Sequence, residues 1–474
     1  MKNQIWFWLL VLAISLGLGI WSLGFWIGGC ASTQELPTTT STTTTTSTST
    51  STTTTTAVPG VVDYSLLYRI DGPDNYGGFG TAVSPAGDIN GDGKIDFLIG
   101  APHVIISGKT DVGKAFIYSG ADGVSILWQK DGASEDPKFN NYENYGFSLA
   151  SLDDAFVVSA QWANHSTVEA GSVYVYSKST GNLLYRLDGG SIEHHAFGSS
   201  VAAIGDLNGD GRQDFVVGSH NADPSAEIFS GADGSRLLAI TGDWYSYFGF
   251  SVSSAGDVNH DGKPDFIVGA PGAMTETGSA LVYSGADGSP LYKKIGTRGG
   301  QTLGWSVSGA GDLNGDSKAD FIVGAGGTAG FGHNGSGEVH VYSGADGSQL
   351  LPALTGEDPD DYSFGMAVKS IGDVNGDGKP DIIVGAPYRD RQFLDPTGTI
   401  RLAPDKYEAG AVYIFSGADG SLLWKRYGDN EYDHFGAAIA VLGDINGNGK
   451  PDLMIGAPSI YNRRNGSVYI FVSQ

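Results

Sequence analysis

The chain has 474 residues, with 27 Lys and Arg against 52 Asp and Glu, for a formal charge of −25. That balance excludes a nucleic-acid partner, which calls for clustered cations. Glycine (73 residues), tyrosine (22) and phenylalanine (21) are plentiful, whereas methionine (4) and cysteine (1) are scarce. Such a mixture suits short strands joined by tight turns better than long helices, and a single cysteine excludes an intrachain disulfide.

The chain opens with Lys2 and an uncharged apolar run from Ile5 to Gly29. The run is long for a signal-peptide core and long enough to span a bilayer as a helix. Lys2 on the cytoplasmic side places everything that follows outside the cytoplasm. At its end, Ile27-Gly28-Gly29-Cys30 is similar to a bacterial lipobox, which implies lipidation at Cys30; an uncleaved signal anchor is the alternative. Residues 1–30 are therefore read as a signal sequence or anchor. Residues 31–60 form a stalk, almost wholly Thr and Ser from Pro37 to Thr56, with too little apolar surface to offset its conformational entropy by packing. The remainder, 61–474, is one repeat domain.

Its repeat is fullest at Tyr247-Phe248-Gly249-Phe250-Ser251-Val252, followed by the acidic stretch Asp257 to Asp265, then Phe266-Ile267-Val268-Gly269-Ala270-Pro271, Gly278 to Ser284, and a turn into Leu291-Tyr292. Four short apolar runs bounded by Gly and Asp predict four strands joined as hairpins. The aromatic-or-Leu plus Gly start recurs at Phe79-Gly80, Tyr145-Gly146, Phe197-Gly198, Phe248-Gly249, Leu303-Gly304, Phe364-Gly365 and Phe435-Gly436. Seven four-stranded units predict an all-β, seven-bladed propeller of antiparallel blades. The last unit ends after its third strand, Gly466 to Val472, while Ser65 to Ile70 matches the fourth-strand pattern of Leu183 to Leu187. The N-terminal segment is expected to complete the last blade and close the ring, which removes an exposed edge.

Between the first and second strands, six of the seven units carry Asp-x-Asn-x-(Asp/Asn)-x-x-x-Asp. In the first unit these are Asp88, Asn90, Asp92 and Asp96, and in the third Asp206, Asn208, Asp210 and Asp214. The fourth has Asp257, Asn259, Asp261 and Asp265, and the fifth Asp312, Asn314, Asp316 and Asp320. The sixth has Asp373, Asn375, Asp377 and Asp381, and the seventh Asp444, Asn446, Asn448 and Asp452. Alternate oxygens at positions 1, 3 and 5 converge when the chain curls around a centre. Position 7 (Lys94, Arg212, Lys263, Lys318, Lys379 and Lys450) then offers its backbone carbonyl, and position 9 closes the shell. Hard oxygen donors at this density suit Ca²⁺ rather than Zn²⁺. An EF-hand is excluded because no Glu stands at position 12 and a strand follows. A metal-free turn accounts for one such loop, since Asp, Asn and Gly are ordinary turn formers; six in register point to about six calcium ions, because so many facing carboxylates repel. The second unit has only Ser151-Leu152-Asp153-Asp154 and is expected to lack metal. Ser317 at the glycine position and Asn448 in place of a carboxylate should weaken the fifth and seventh sites.

The Phe-Gly starts, the acidic loops and the Gly-Ala-Pro steps at Gly100-Ala101-Pro102, Gly269-Ala270-Pro271, Gly385-Ala386-Pro387 and Gly456-Ala457-Pro458 together resemble the FG-GAP repeat of integrin α-subunit propellers. The resemblance runs from Tyr64 to Gln474 and implies a seven-bladed propeller with Ca²⁺ on one face and ligand on the other. That opposite face would include the fourth-to-first-strand connections: Asn75, Tyr76, Asn144, His194, His195, Trp244, Tyr245, Tyr362 and His434. Packing between blades accounts equally well for any one of them.

The expected function is a surface-anchored recognition or adhesion module for a protein or carbohydrate ligand, with no catalytic residues. No Gly-x-Ser-x-Gly elbow and no His-Glu-x-x-His occur. A glycosidase pair among so many carboxylates keeps an extracytoplasmic hydrolase open, and a structural envelope protein is the third reading.

Overall fold

The structure is a computed structural model, and it describes residues 62–73, 77–132, 143–164, 169–190, 195–220, 222–223, 225–243, 245–272, 277–326, 336–357, 361–390, 392–394, 400–402, 407–459 and 465–474. The expected anchor, Cys30 and the stalk lie outside these residues. Among the described residues no helix is long and apolar enough to cross a membrane.

Among the described residues the strands form seven four-stranded antiparallel sheets and one two-stranded ribbon. Blade 1 runs Ala82–Gly87, Asp96–Ala101, Lys114–Tyr118 and Ile126–Asp131, each strand pairing with the next. Blades 2 to 6 repeat that order. In blade 6 the ribbon, Gln392–Leu394 with Ile400–Leu402, is inserted between the second and third strands. Blade 7 is built from Ala438–Gly443, Asp452–Ala457 and Ser467–Ser473, and its fourth strand is Tyr64–Asp71 from the start of the domain. The pairing runs from Tyr64 opposite Ser473 to Asp71 opposite Ser467. The Tyr64 hydroxyl also donates to the Pro451 carbonyl at 3.0 Å, and the Gln474 N–H donates to the Asp63 carbonyl. The expected ring closure is therefore present, and it begins slightly earlier than Ser65: Val62 and Tyr64 are both buried in the core.

The first strands neighbour one another in turn around the ring and so line its axis. Second strands such as Asp96–Ala101 and Asp381–Ala386 are buried at every residue. Both of their faces meet a neighbouring blade, which is why they read as unbroken apolar runs instead of alternating ones. Fourth strands face outward on the perimeter and leave Leu183 and Leu184 about half exposed. The hydrophobic core falls into seven clusters, one at each interface between blades. Phe97, Ile99 and Phe116 of blade 1 pack against Leu442 and Met454 of blade 7, so the last interface is as filled as the others.

The aromatic-Gly start and the Gly-Ala step meet across these interfaces. Gly80, with φ of +91°, donates its N–H to the Gly100 carbonyl of its own blade at 2.9 Å. A Cβ on Gly100 would lie 2.0 Å from the Gly146 carbonyl oxygen of the next blade, and the same holds at 2.1 Å for Gly385 against Gly436. Only glycine allows the backbones to approach so closely.

Candidate functional site

Each acidic loop follows a β-bulge at the glycine before its first aspartate, as at Gly87 ahead of Asp88. In the first loop Asp88 Oδ1 accepts from the N–H groups of Gly91 (2.7 Å) and Asp92 (3.1 Å), and Oδ2 from Gly93 (2.8 Å). Asn90 Oδ1 accepts from the Asp92 N–H at 3.0 Å, and Asp92 Oδ1 from the Lys94 N–H at 2.8 Å. The side chains at positions 1, 3 and 5 therefore curl the backbone around themselves, which is the local reason the loop forms. The same bonds recur through Asp206, Asn208 and Asp210 and Asp312, Asn314 and Asp316, and in the fourth loop through Asp257, which accepts from the Asp261 and Gly262 N–H groups, with Asn259 and Asp261. They recur again through Asp373, Asn375 and Asp377 and through Asp444, Asn446 and Asn448.

Position 9 does something else. Asp96 is fully buried at the head of the second strand, where Oδ2 accepts from the Ile89 N–H (2.7 Å) and Oδ1 from the Gly120 N–H in the third-to-fourth-strand turn (2.8 Å). Asp214, Asp265, Asp320 and Asp381 are equally buried and hold the corresponding turns, through Gly231, Gly285, Gly344 and Gly417, while in blade 7, which has no such turn, the buried Asp452 accepts from the Ser473 N–H at the end of the third strand. The carboxylate at position 9 thus ties the two turns of one blade edge together, a role that loop spacing alone does not reveal. Burial raises the pKa of Asp96, Asp214, Asp265 and Asp320, and it pushes Asp381 up to about 6. Backbone N–H groups instead hold the open Asp206 and Asp444 below the usual carboxylate range.

Positions 4 and 6 of the loops both take the left-handed backbone region. Gly91 and Gly93 have φ of +78° and +80°, while His260 (+62°) and Ser317 (+70°) occupy the left-handed region without being glycine. At position 7 the cations reach sideways: Lys263 Nζ donates to the Leu207 carbonyl of the preceding loop, and Arg212 pairs with Asp154 of blade 2. In that blade Ser151 to Asp154 make a tight turn, closed by the Leu152 N–H on the Ala155 carbonyl at 2.9 Å.

Among the described residues, no three His, Cys, Asp or Glu side chains stand together in an arrangement that would hold a metal ion. The donor chemistry nonetheless suits a hard cation. Each loop presents side-chain oxygens from three residues within five positions, beside the buried carboxylate at position 9, and carboxylate oxygens that accept one N–H keep further lone pairs.

Asn75, Tyr76, His194 and Trp244, expected on the opposite face, lie outside the described residues. Asn144, His195 and His434 are buried rather than open, since they pack where a fourth-to-first connection enters the next blade. Tyr245 is 74% exposed. Tyr362 joins a wall that spacing did not disclose. It stacks on Tyr388 (centroids 6.1 Å apart), which meets the edge of His434 at 5.0 Å, and His434 Nε2 lies 3.3 Å from Glu408 Oε2. Tyr407, half exposed, flanks the wall beside Tyr432 at 5.7 Å. Burial, with the Glu408 carboxylate next, raises the Tyr362 phenol pKa. A second run of rings links His220 to Tyr247 and Phe250 (both 5.9 Å), and Phe250 to Trp305 at 5.0 Å.

A seven-bladed propeller with acidic loops on one edge of six blades and aromatic groups on the other is a binding scaffold by architecture. The chain belongs to the FG-GAP repeat family, which matches residues 79–118, 197–236, 248–286, 303–342, 370–415 and 435–471. Those segments fall in the six blades with complete loops and omit blade 2. The chain is 32% identical to integrin alpha-5 of Xenopus laevis over 225 residues, 45% of this chain and 20% of that protein. It is 31% identical to integrin alpha-V of Gallus gallus over 225 residues (45% and 20%), and 29% identical to integrin alpha-7 of Rattus norvegicus over 251 residues (51% and 21%). The match thus spans about a fifth of each relative's length.

Proposed function

We propose that this chain is a calcium-binding recognition or adhesion module, held at a cell surface by its N-terminus, that engages a protein or glycan through the face opposite the acidic loops. The likeness to integrin alpha chains supports the adhesive, non-enzymatic reading. The observation that carries it is the wall of Tyr362, Tyr388, His434 and Glu408 with Tyr407 beside it. The half-buried rings of Tyr362 and Tyr388 and the half-exposed Tyr407, next to the Glu408 carboxylate, suit sugar rings and polar protein surfaces alike.

Residues Asp88 to Asp452 of the six loops would hold Ca²⁺, which would supply positive charge between carboxylates and brace the rim. The chain's own residues orient those carboxylates through backbone N–H groups and hold the blades in register. Cys30 would carry lipid; Cys30→Ala should then abolish labelling by a fatty-acid probe.

The ligand face is tested by probing glycan and extracellular-protein arrays with wild-type chain and with Tyr388→Ala and Tyr407→Ala, in calcium and in chelator. A ligand should emerge whose binding falls more than tenfold in both variants while their melting temperatures hold. Binding that is indifferent to both substitutions would move the ligand site elsewhere.

A further inference from the structure

The pairing of first with second strands makes one position equivalent in every blade. Six of the seven are small, namely Ser84, Ala150, Ala202, Ser253, Ser308 and Ala440, and the seventh is Lys369, opposite Ile383 in blade 6. The contrast matters because these strands are the innermost of the ring. The strand carrying Lys369, Ala367–Gly372, is bonded on one side to Asp381–Ala386 and flanked by the first strands of blades 5 and 7. Lys369 is only half-buried, so the surface it retains is that of the central channel.

The Lys369 ammonium makes no hydrogen bond, ion pair or ring contact among the described residues. Lys114 and Lys425 have Asp131 and Glu357 as partners and Lys450 has the Gln474 carbonyl, whereas the cation at this innermost position has none. We propose that the central channel is an oxyanion site, with the Lys369 ammonium as its charged anchor and a carboxylate as its ligand. That carboxylate could come from a free organic acid or from an acidic side chain of a protein ligand. A cation without a partner, partly removed from water, gains a charge-assisted hydrogen bond when a carboxylate arrives. Burial lowers the Lys369 pKa, and a bound carboxylate would raise it again.

The test uses the full-length chain, reductively methylated with ¹³C-formaldehyde, with the Lys369 resonance assigned by its loss in Lys369→Met. Sodium acetate is titrated against sodium chloride at equal ionic strength. Acetate should shift that resonance saturably and chloride should not. The melting temperature should rise with acetate in wild type and in Lys369→Arg, while Lys369→Met should weaken the response more than tenfold. A short glutamate peptide with blocked ends, titrated in parallel, distinguishes the two sources: a saturable shift assigns the site to acidic side chains, and acetate acting alone assigns it to free acids. A Lys369 resonance that ignores acetate, or answers chloride equally, overturns the proposal; this readout needs only the wild-type fold.

Discussion

Gly456 and Gly80 stand at the join between the last blade and the first: a Cβ on Gly456 would lie 2.0 Å from the Gly80 carbonyl oxygen. The contact repeats the spacing of Gly100 against Gly146, so the closing interface is no looser than the internal ones. Gly456→Ala should therefore cost more than the roughly 1–3 kcal/mol of ordinary overpacking, because both clashing groups are backbone. Gly447→Ala, at φ of +83° with nothing within 4 Å, should cost only the left-handed strain of about 1–2 kcal/mol. Denaturant unfolding of the two variants measures the difference; equal losses would mean that the close approach carries no weight.

The shared blade makes a second expectation. Deleting residues 1–61 should leave a stable ring, since Val62 is the first of the described residues and is already buried in the core. Deleting through Asp71 removes a whole strand and uncovers Ser467–Ser473, leaving an unpaired sheet edge. The longer deletion should melt at a clearly lower temperature and aggregate on heating. Coincident melting curves would count against closure as a source of stability.

Calcium should raise the melting temperature by binding only the folded loops. Extracellular calcium modules bind at about 10⁻⁴ to 10⁻³ M, so the rise should appear at millimolar metal. Asp377→Ala should blunt the calcium response. Asp154→Ala should leave that response intact even if losing the Arg212 partner lowers the baseline. Elemental analysis that finds no calcium, together with melting that ignores chelator, would remove the metal from the account.

His220 sets a pH dependence. Its half-buried ring lies against Tyr247 and Phe250, and burial pulls its pKa down to about 4. The unfolded chain takes up this proton near pH 6.5, whereas the folded chain resists it until about pH 4. Stability from this residue is thus complete above pH 6.5 and drains away as pH falls toward 4. His220→Gln should flatten that part of the wild-type stability profile. Parallel wild-type and variant profiles between pH 7 and 4 would show that His220 titrates normally.

Much of the architecture was legible in the sequence because its determinants are local. An acidic loop is closed by side chains bonding backbone N–H groups within five residues, as Asp88 does with Gly93, so spacing alone specifies the loop. Likewise the four-strand period, the missing last strand and its N-terminal substitute all follow from short patterns that repeat. Contacts between blades are different, because they depend on how far each sheet rotates from the last. Only the closed ring buried His434 and Asn144, set Tyr362 against Tyr388, and left Lys369 alone among six small residues at the axis. It also turned position 9 from one more oxygen in a loop into a buried clasp between two turns, as Asp96 Oδ1 meets the Gly120 N–H. Those partners lie tens of residues apart or on neighbouring blades, and local spacing carries no information about which of them will meet.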